Sequence, residues 1–316
     1  RSSTYICCCK NIVRFFGCGC GSILGMRNGF LPDEKLERQV VDYFSTIESR
    51  LGYSLLLKGV KHFGYYPKGR EDISMREAQY SMMNELQKRL DLPSDSLILD
   101  AGCGEGETAM YLARKYGYRI RGIDILNTSL EKARRRSAKR NLEGYVEFRR
   151  MNFESLDFPD ESFDGAYTME TLVHAGDYKN ALQEFHRVLK RGGKLVLFEY
   201  SIPGSESIEV TPYQKKILEI VFENTASHSF RHFVHGRFPE ILEEAGFTRV
   251  VVEDITQRVM PMVKRFYKLA FLPYQLVRAF GLREMFINTT IAFEFYRNLC
   301  QSQEFWRYNI ITATKP

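Results

Sequence analysis

Asp100-Ala101-Gly102-Cys103-Gly104-Glu105-Gly106 stands between a short apolar run, Leu97-Ile98-Leu99, and a helical pattern over 107 to 116. Glycine at alternate positions lets a backbone turn sharply and approach a ligand closely, and the helix behind the turn presents its first amides to that ligand. Dinucleotide-binding folds use a related turn, but the spacing here is Gly-x-Gly-x-Gly and not the Gly-x-Gly-x-x-Gly that suits a pyrophosphate. That disfavours a nicotinamide dehydrogenase. Asp100, at the end of the apolar run, suits a cationic group of the ligand, met directly or through water.

Outward from this turn, short apolar runs alternate with helical segments. The runs fall near 97–99, 120–125, 146–151, 164–169, 194–200, 249–254 and 308–313; the helices fall near 107–116, 128–141, 177–190, 211–226 and 237–245. Strands alternating with helices predict an α/β fold with a mostly parallel sheet and right-handed crossovers, and Lys190-Arg191-Gly192-Gly193 reads as a helix stop. Asp124 closes the second run about 20 residues after the turn, where a carboxylate accepts hydrogen bonds from ribose hydroxyls. Asn152 closes the third run and can bond an adenine edge, while apolar neighbours cover the ring. The expected cofactor wall is Asp100, Gly102, Cys103, Gly104, Asp124, Ile125, Asn152, Phe153 and Met169.

The chain of 316 residues, 44% of them hydrophobic, is long enough for a large core, and a net charge of +6 without basic blocks gives no sign of nucleic acid. Cys7, Cys8, Cys9, Cys18 and Cys20 lie together, leaving Cys103 and Cys300 in the folded part. That spacing argues against a disulfide framework and for a reducing, cytoplasmic setting. Residues 1–32 read as a Cys-rich tail, either simply exposed or palmitoylated beside the interfacial segment Ile12 to Phe16. No apolar stretch reaches the roughly 18 to 20 residues of a membrane span.

Residues 33–93 read as an N-terminal helical lid, with helices after Pro32-Asp33 and over Ser74 to Leu90. Residues 94–256 form the core, 257–304 a helical insertion over the substrate pocket, and 305–316 the final core strand. Met260 to Leu282 carries Phe266, Leu269, Phe271, Leu272, Leu276 and Phe280 beside Lys264, Arg265, Lys268, Arg278 and Arg283. Its two readings are a cap on the pocket and an interfacial element in peripheral contact with a membrane, with Pro273 interrupting a single helix. His228, His232 and His235 lack a cysteine or paired carboxylate to complete a metal site, and no metal is expected.

The turn, Asp124 and Asn152 together resemble the class I S-adenosylmethionine-dependent methyltransferases. Met169-Glu170-Thr171-Leu172-Val173-His174-Ala175 narrows the resemblance to sterol C-methyltransferases and their small-molecule relatives. His62-Phe63-Gly64-Tyr65-Tyr66 and Phe185 to Gly193 match further stretches of that family, over roughly residues 36 to 316. The chain departs from it at Asn152, often Asp, and at Leu172 and Val173.

The resemblance implies a Rossmann-like, seven-stranded sheet flanked by helices and S-adenosyl-L-methionine as cofactor. It implies methyl transfer to a carbon of a lipophilic acceptor, a sterol or other isoprenoid alkene first. N- or O-methylation of an amphipathic metabolite is the alternative, and a silent cofactor-binding partner protein the non-enzymatic one. His174 with Glu199 would form a general-base pair, and Glu170 and His62 complete the expected catalytic set. Homo-oligomerisation stays open.

Overall fold

A computed structural model describes residues 33–46, 48–49, 57–204, 210–283, 285–300 and 305–316; the expectations for the Cys-rich segment 1–32 lie outside these. Seven strands form one sheet: β1 (Leu97–Ala101), β2 (Arg119–Asp124), β3 (Val146–Arg150), β4 (Phe163–Met169), β5 (Leu189–Ser201), β6 (Thr248–Asp254) and β7 (Arg307–Thr314). Their order is β3-β2-β1-β4-β5-β7-β6, parallel from β3 to β5, with β7 antiparallel to both its neighbours. The central strand β1 is a continuous buried run, as a strand covered on both faces must be. The edge strand β6 is largely exposed, and Arg249, Glu253 and Asp254 make it a poor template for further pairing.

The helices are α1 (Asp33–Ser45), α2 (Met75–Leu90), α3 (Glu107–Tyr116), α4 (Asn127–Lys139), α5 (Tyr178–Val188), α6 (Pro212–Asn224), α7 (Phe238–Glu244), α8 (Thr256–Ala279) and α9 (Ile287–Phe295). Local chemistry sets their starts. Ser74 and Glu77 form a reciprocal capping box on α2, Thr211 and Gln214 do the same on α6, and the Asp177 carboxylate accepts from the second and third amides of α5. Burial then fixes α2 in place: Met82, Met83, Leu86 and Leu90 are wholly enclosed, each contributing about 1.5 to 3 kcal/mol.

Two expectations are corrected. Helix α5 stops at Val188, because Leu189 is already extended and pairs with Phe163; Gly192 and Gly193 then bond Lys315, so the glycine turn lies inside β5. Helix α8 also runs unbroken through Pro261 and Pro273. A proline costs an interior hydrogen bond. Here Met262, Val263, Ala270, Tyr274 and Val277 bury on either side of the two prolines, and the Tyr274 ring stacks on Phe293 at 4.1 Å, so tertiary packing overrides the local preference.

From β1 the chain winds outward to β2 and β3, and from β4 it winds the other way to β5. Adjacent β1 and β4 are therefore the switch point of the sheet, and the crevice beyond their carboxyl ends is where a ligand fits.

Candidate functional site

A cavity of about 570 Å³ opens at that switch point, lined largely by apolar atoms, with Asp100, Asp124, Glu170 and His174 among its polar walls. Its volume lies in the range of small-molecule sites.

One half is made by strand ends. Gly102 has φ +86°, and a Cβ there would lie 2.5 Å from the Thr171 side chain; at Gly106, φ +74°, it would lie 2.5 Å from the Phe148 ring. The turn can thus press against β3 and the loop after β4 only without side chains at these points. The amides of Gly102 and Cys103 both donate to the Ile123 carbonyl, at 2.8 and 2.9 Å, tying the turn to β2.

Asp124 fixes the same turn from the neighbouring strand. One of its oxygens accepts from Gly104 N and the other from Leu126 N, each at 2.8 Å, and each oxygen keeps a further lone pair for a ligand hydroxyl. Asp100 is buried beside the Tyr167 hydroxyl, its Oδ2 makes no close hydrogen bond among the described residues, and burial pushes its carboxyl up to about 7. A buried acid with an open acceptor is what a cationic ligand group would satisfy. The Asn152 Oδ1 accepts from Glu154 N at 2.9 Å, which leaves its amide nitrogen to meet a ligand. Ile125, Phe153, Met169 and Cys103 complete this wall, and burial pushes the Cys103 thiol well up, so it stays a neutral spacer.

The other half is assembled from distant segments. Glu170 adopts a left-handed backbone, φ +60°, unusual for a residue with a side chain. Its Oε1 accepts from Phe63 N at 2.6 Å and from the Tyr308 hydroxyl at 2.8 Å, and its Oε2 accepts from the Tyr200 hydroxyl. Burial raises its carboxyl to about 7. Glu170 therefore latches the segment before α2 to β5 and β7.

His174 sits in a short 3₁₀ turn, Leu172–His174, with Nδ1 at 3.0 Å from the Ala226 carbonyl. A carbonyl only accepts, so Nδ1 carries the proton and Nε2 keeps a lone pair. Burial pushes the imidazole down to about 4, and the ring is neutral around pH 7. Phe44 from α1 meets it edge-on at 5.5 Å. His62 follows the same pattern: Nδ1 donates to Phe63 O at 2.8 Å, Nε2 faces Thr108 Oγ1 at 3.4 Å, and burial lowers its pKa to about 4.

Every expected cofactor-side residue and His62, Glu170 and His174 line this one cavity, whereas Glu199 does not. Glu199 is fully buried beneath it. Its Oε1 accepts from Thr168 Oγ1, Thr171 N and Leu172 N at 2.8 to 3.3 Å, and burial lifts its carboxyl to about 8. The expected His174–Glu199 pair is corrected accordingly: the backbone carbonyl of Ala226, not a carboxylate, holds the His174 tautomer, and Glu199 supports the turn that carries His174.

Sequence reading missed Tyr200, Tyr308 and Lys61. Strand alternation contains the first two, since Tyr200 faces away from Glu199 on β5 and lies directly opposite Tyr308 in the β5–β7 register. Lys61 carried no motif; it lies half-buried by the Gly104 turn, where desolvation lowers its pKa and Asp124 and Glu105 pull it back up. Of the three later histidines, His232 packs on Tyr178 and His235 shares a hydrogen bond with Ser201.

The family model described as a methyltransferase domain matches residues 99–197. An S-adenosyl-L-methionine-dependent Diels-Alderase of Talaromyces variabilis is 35% identical over 291 residues, covering 91% of this chain and 98% of that protein. An O-methyltransferase of Aspergillus sclerotiorum is 30% identical over 68% of this chain and 78% of its own length. The crystal structure of a 4+2 cyclase superposes with a TM-score of 0.70 at 24% identity, covering 89% of this chain and 97% of that one. The chain belongs to the class I S-adenosylmethionine-dependent methyltransferase family, and S-adenosylmethionine is its cofactor.

Proposed function

We propose that this methyltransferase alkylates a hydroxyl or enol oxygen of an extended, lipophilic natural product, with His174 as the proton acceptor. The observation that carries the reading is the fixed tautomer of His174, which leaves a neutral Nε2 lone pair on a wall of a largely apolar cavity. When bound, the cofactor supplies an electrophilic methyl group and keeps the sulfur as a neutral thioether. Asp100, Asp124 and Asn152 would hold its cationic, ribose and adenine parts.

The acceptor lies among aromatic walls that exclude water, including Phe44, Phe63, Tyr200 and Trp306. As its oxygen bonds to the methyl carbon, its proton becomes strongly acidic and passes to His174 Nε2. A base of low pKa suffices at that stage, and the burial that lowers the pKa also keeps the imidazole unprotonated beforehand. The carbon acceptor expected from the sterol-like resemblance would draw on the same walls, since aromatic faces stabilise a developing cation.

A second reading, cyclisation of a bound polyene without consumption of the cofactor, is favoured by the near full-length similarity to a Diels-Alderase. There the Glu170, Tyr200 and Tyr308 cluster would polarise the substrate by hydrogen bonding, and the cavity walls would fold it.

Incubation with methyl-labelled cofactor and a panel of polyketide, isoprenoid and sterol acceptors, followed by product NMR, tests these readings. A labelled O-methyl resonance is expected. A labelled C-methyl supports the carbon route, and an unlabelled isomer of the substrate supports cyclisation; either outcome overturns the leading proposal.

A further inference from the structure

The outer surface of α8 carries a feature that the cavity does not use. Leu269, Leu272, Leu276 and Phe280 recur at intervals of three, four and four residues, so they form one stripe along the helix. All four are exposed, Leu272 at 69% and Phe280 at 74%, and Leu282, Met285 and Phe286 extend the apolar surface through the turn that follows. Soluble proteins seldom leave so many large contiguous side chains in water without a partner.

The charged residues of the helix that carries the stripe all have one sign, and Glu284 follows just beyond it along the chain. Residues 256–283 contain no Asp or Glu, and they include Lys264, Lys268, Arg278 and Arg283. Lys264, Lys268 and Arg278 are exposed and take part in no ion pair among the described residues. Arg265 is different, because its guanidinium is spent on the Ile73, Glu71 and Asp72 carbonyls. A stripe of Leu and Phe flanked by exposed cations is complementary to a layer that is apolar inside and anionic at its surface. No described helix is long and apolar enough to cross a membrane, which leaves the in-plane arrangement.

The stripe also has a position that matters. Leu269 begins it and lines the cavity as well, as does Pro273 one turn further on. The acceptor half of the cavity and the exposed stripe thus share a wall.

We propose that the outer face of α8 and the turn to Phe286 dock on an anionic lipid surface, with the helix lying in the interfacial plane. Docking sets the acceptor half of the cavity against the layer in which lipophilic molecules concentrate. The inference rests on the surface itself and holds whether the product is methylated or cyclised.

The test is co-sedimentation of the full chain with vesicles of phosphatidylcholine alone or of phosphatidylcholine mixed with phosphatidylserine. The wild type is expected to partition to the mixed vesicles and to be released in part by salt. The triple variant Leu272→Ser, Leu276→Ser, Phe280→Ser should partition about tenfold or more weakly, since each large apolar side chain supplies burial energy at the interface. The charge variant Lys268→Glu, Arg278→Glu should lose the preference for phosphatidylserine while keeping the wild-type melting temperature. Equal partition to both vesicle types, or undiminished binding by the triple variant, overturns the proposal. So does a wild-type dimer that the triple variant dissociates without any vesicle binding, which would make the stripe an interface between copies of this chain.

Discussion

The strand-end half of the cavity is built from residues that follow one another along the chain, Asp100, Asp124 and Asn152, the last two held by backbone amides within a few residues or one strand away. The acceptor half draws on Phe44, Phe63, Glu170, His174, Tyr200 and Tyr308, whose contacts span up to 245 residues when the Tyr43 to Asn288 bond that joins α1 to the start of α9 is included. The first half is a local motif on a rigid sheet. The second exists only when the whole chain is folded. On the proposed reading, substrate choice follows from the assembled half and cofactor choice from the motif.

The sharpest break in the comparison is His174→Ala. Loss of the proton acceptor should lower single-turnover methyl transfer about a hundredfold to ten-thousandfold at saturating cofactor. The affinity for S-adenosylhomocysteine should stay within error of the wild type, because the hydrogen bond of His174 to Ala226 and its ring contact with Phe44 lie on the acceptor side. Normal transfer by the folded variant would reduce His174 to a packing residue.

Gly102→Ala probes the other half. The added Cβ meets Thr171 at 2.5 Å from a backbone that side chains rarely adopt, so urea denaturation should show about 2 to 3 kcal/mol of lost stability. An unchanged midpoint would mean that the turn has room to shift.

A smaller effect is expected at the latch. The folded pKa of Glu170, about 7, lies above its ordinary value, so the folded state holds this proton longer than the unfolded state does. Relative to Glu170→Gln, the wild type should lose stability as pH rises from about 4.5 to 7, by something on the order of 2 kcal/mol, and be unaffected below that window. Melting curves of both proteins between pH 4 and 8 check the sign. A gap that stays constant with pH would show that Glu170 is ionised in the fold.

The sheet was readable because its signals are short-range: a glycine turn after an apolar run, an acid or amide at each strand end, and alternation of two periodicities. The cavity's far wall was not, and the residues misread there show why. The resemblance pairs Glu199 with His174 across neighbouring strands, but adjacency of strands does not say which face a side chain takes. Tyr200, one residue on, takes the cavity side. The tautomer of His174 depends on a carbonyl 52 residues away, which no local pattern encodes. Pro273 alone predicts a break, yet packing of Tyr274 on Phe293 keeps the helix whole.

The most direct test of the two-part cavity is calorimetric titration of S-adenosylhomocysteine into the wild type and Asp124→Ala, alongside their far-ultraviolet spectra. One equivalent should bind the wild type. The variant, folded, should bind roughly ten- to more than a hundredfold more weakly, since about 1.5 to 3 kcal/mol is lost with the charge-assisted ribose bonds. Equal affinity in a folded variant, or no binding to the wild type, would contradict the assignment of the Asp100 to Asp124 wall to the cofactor.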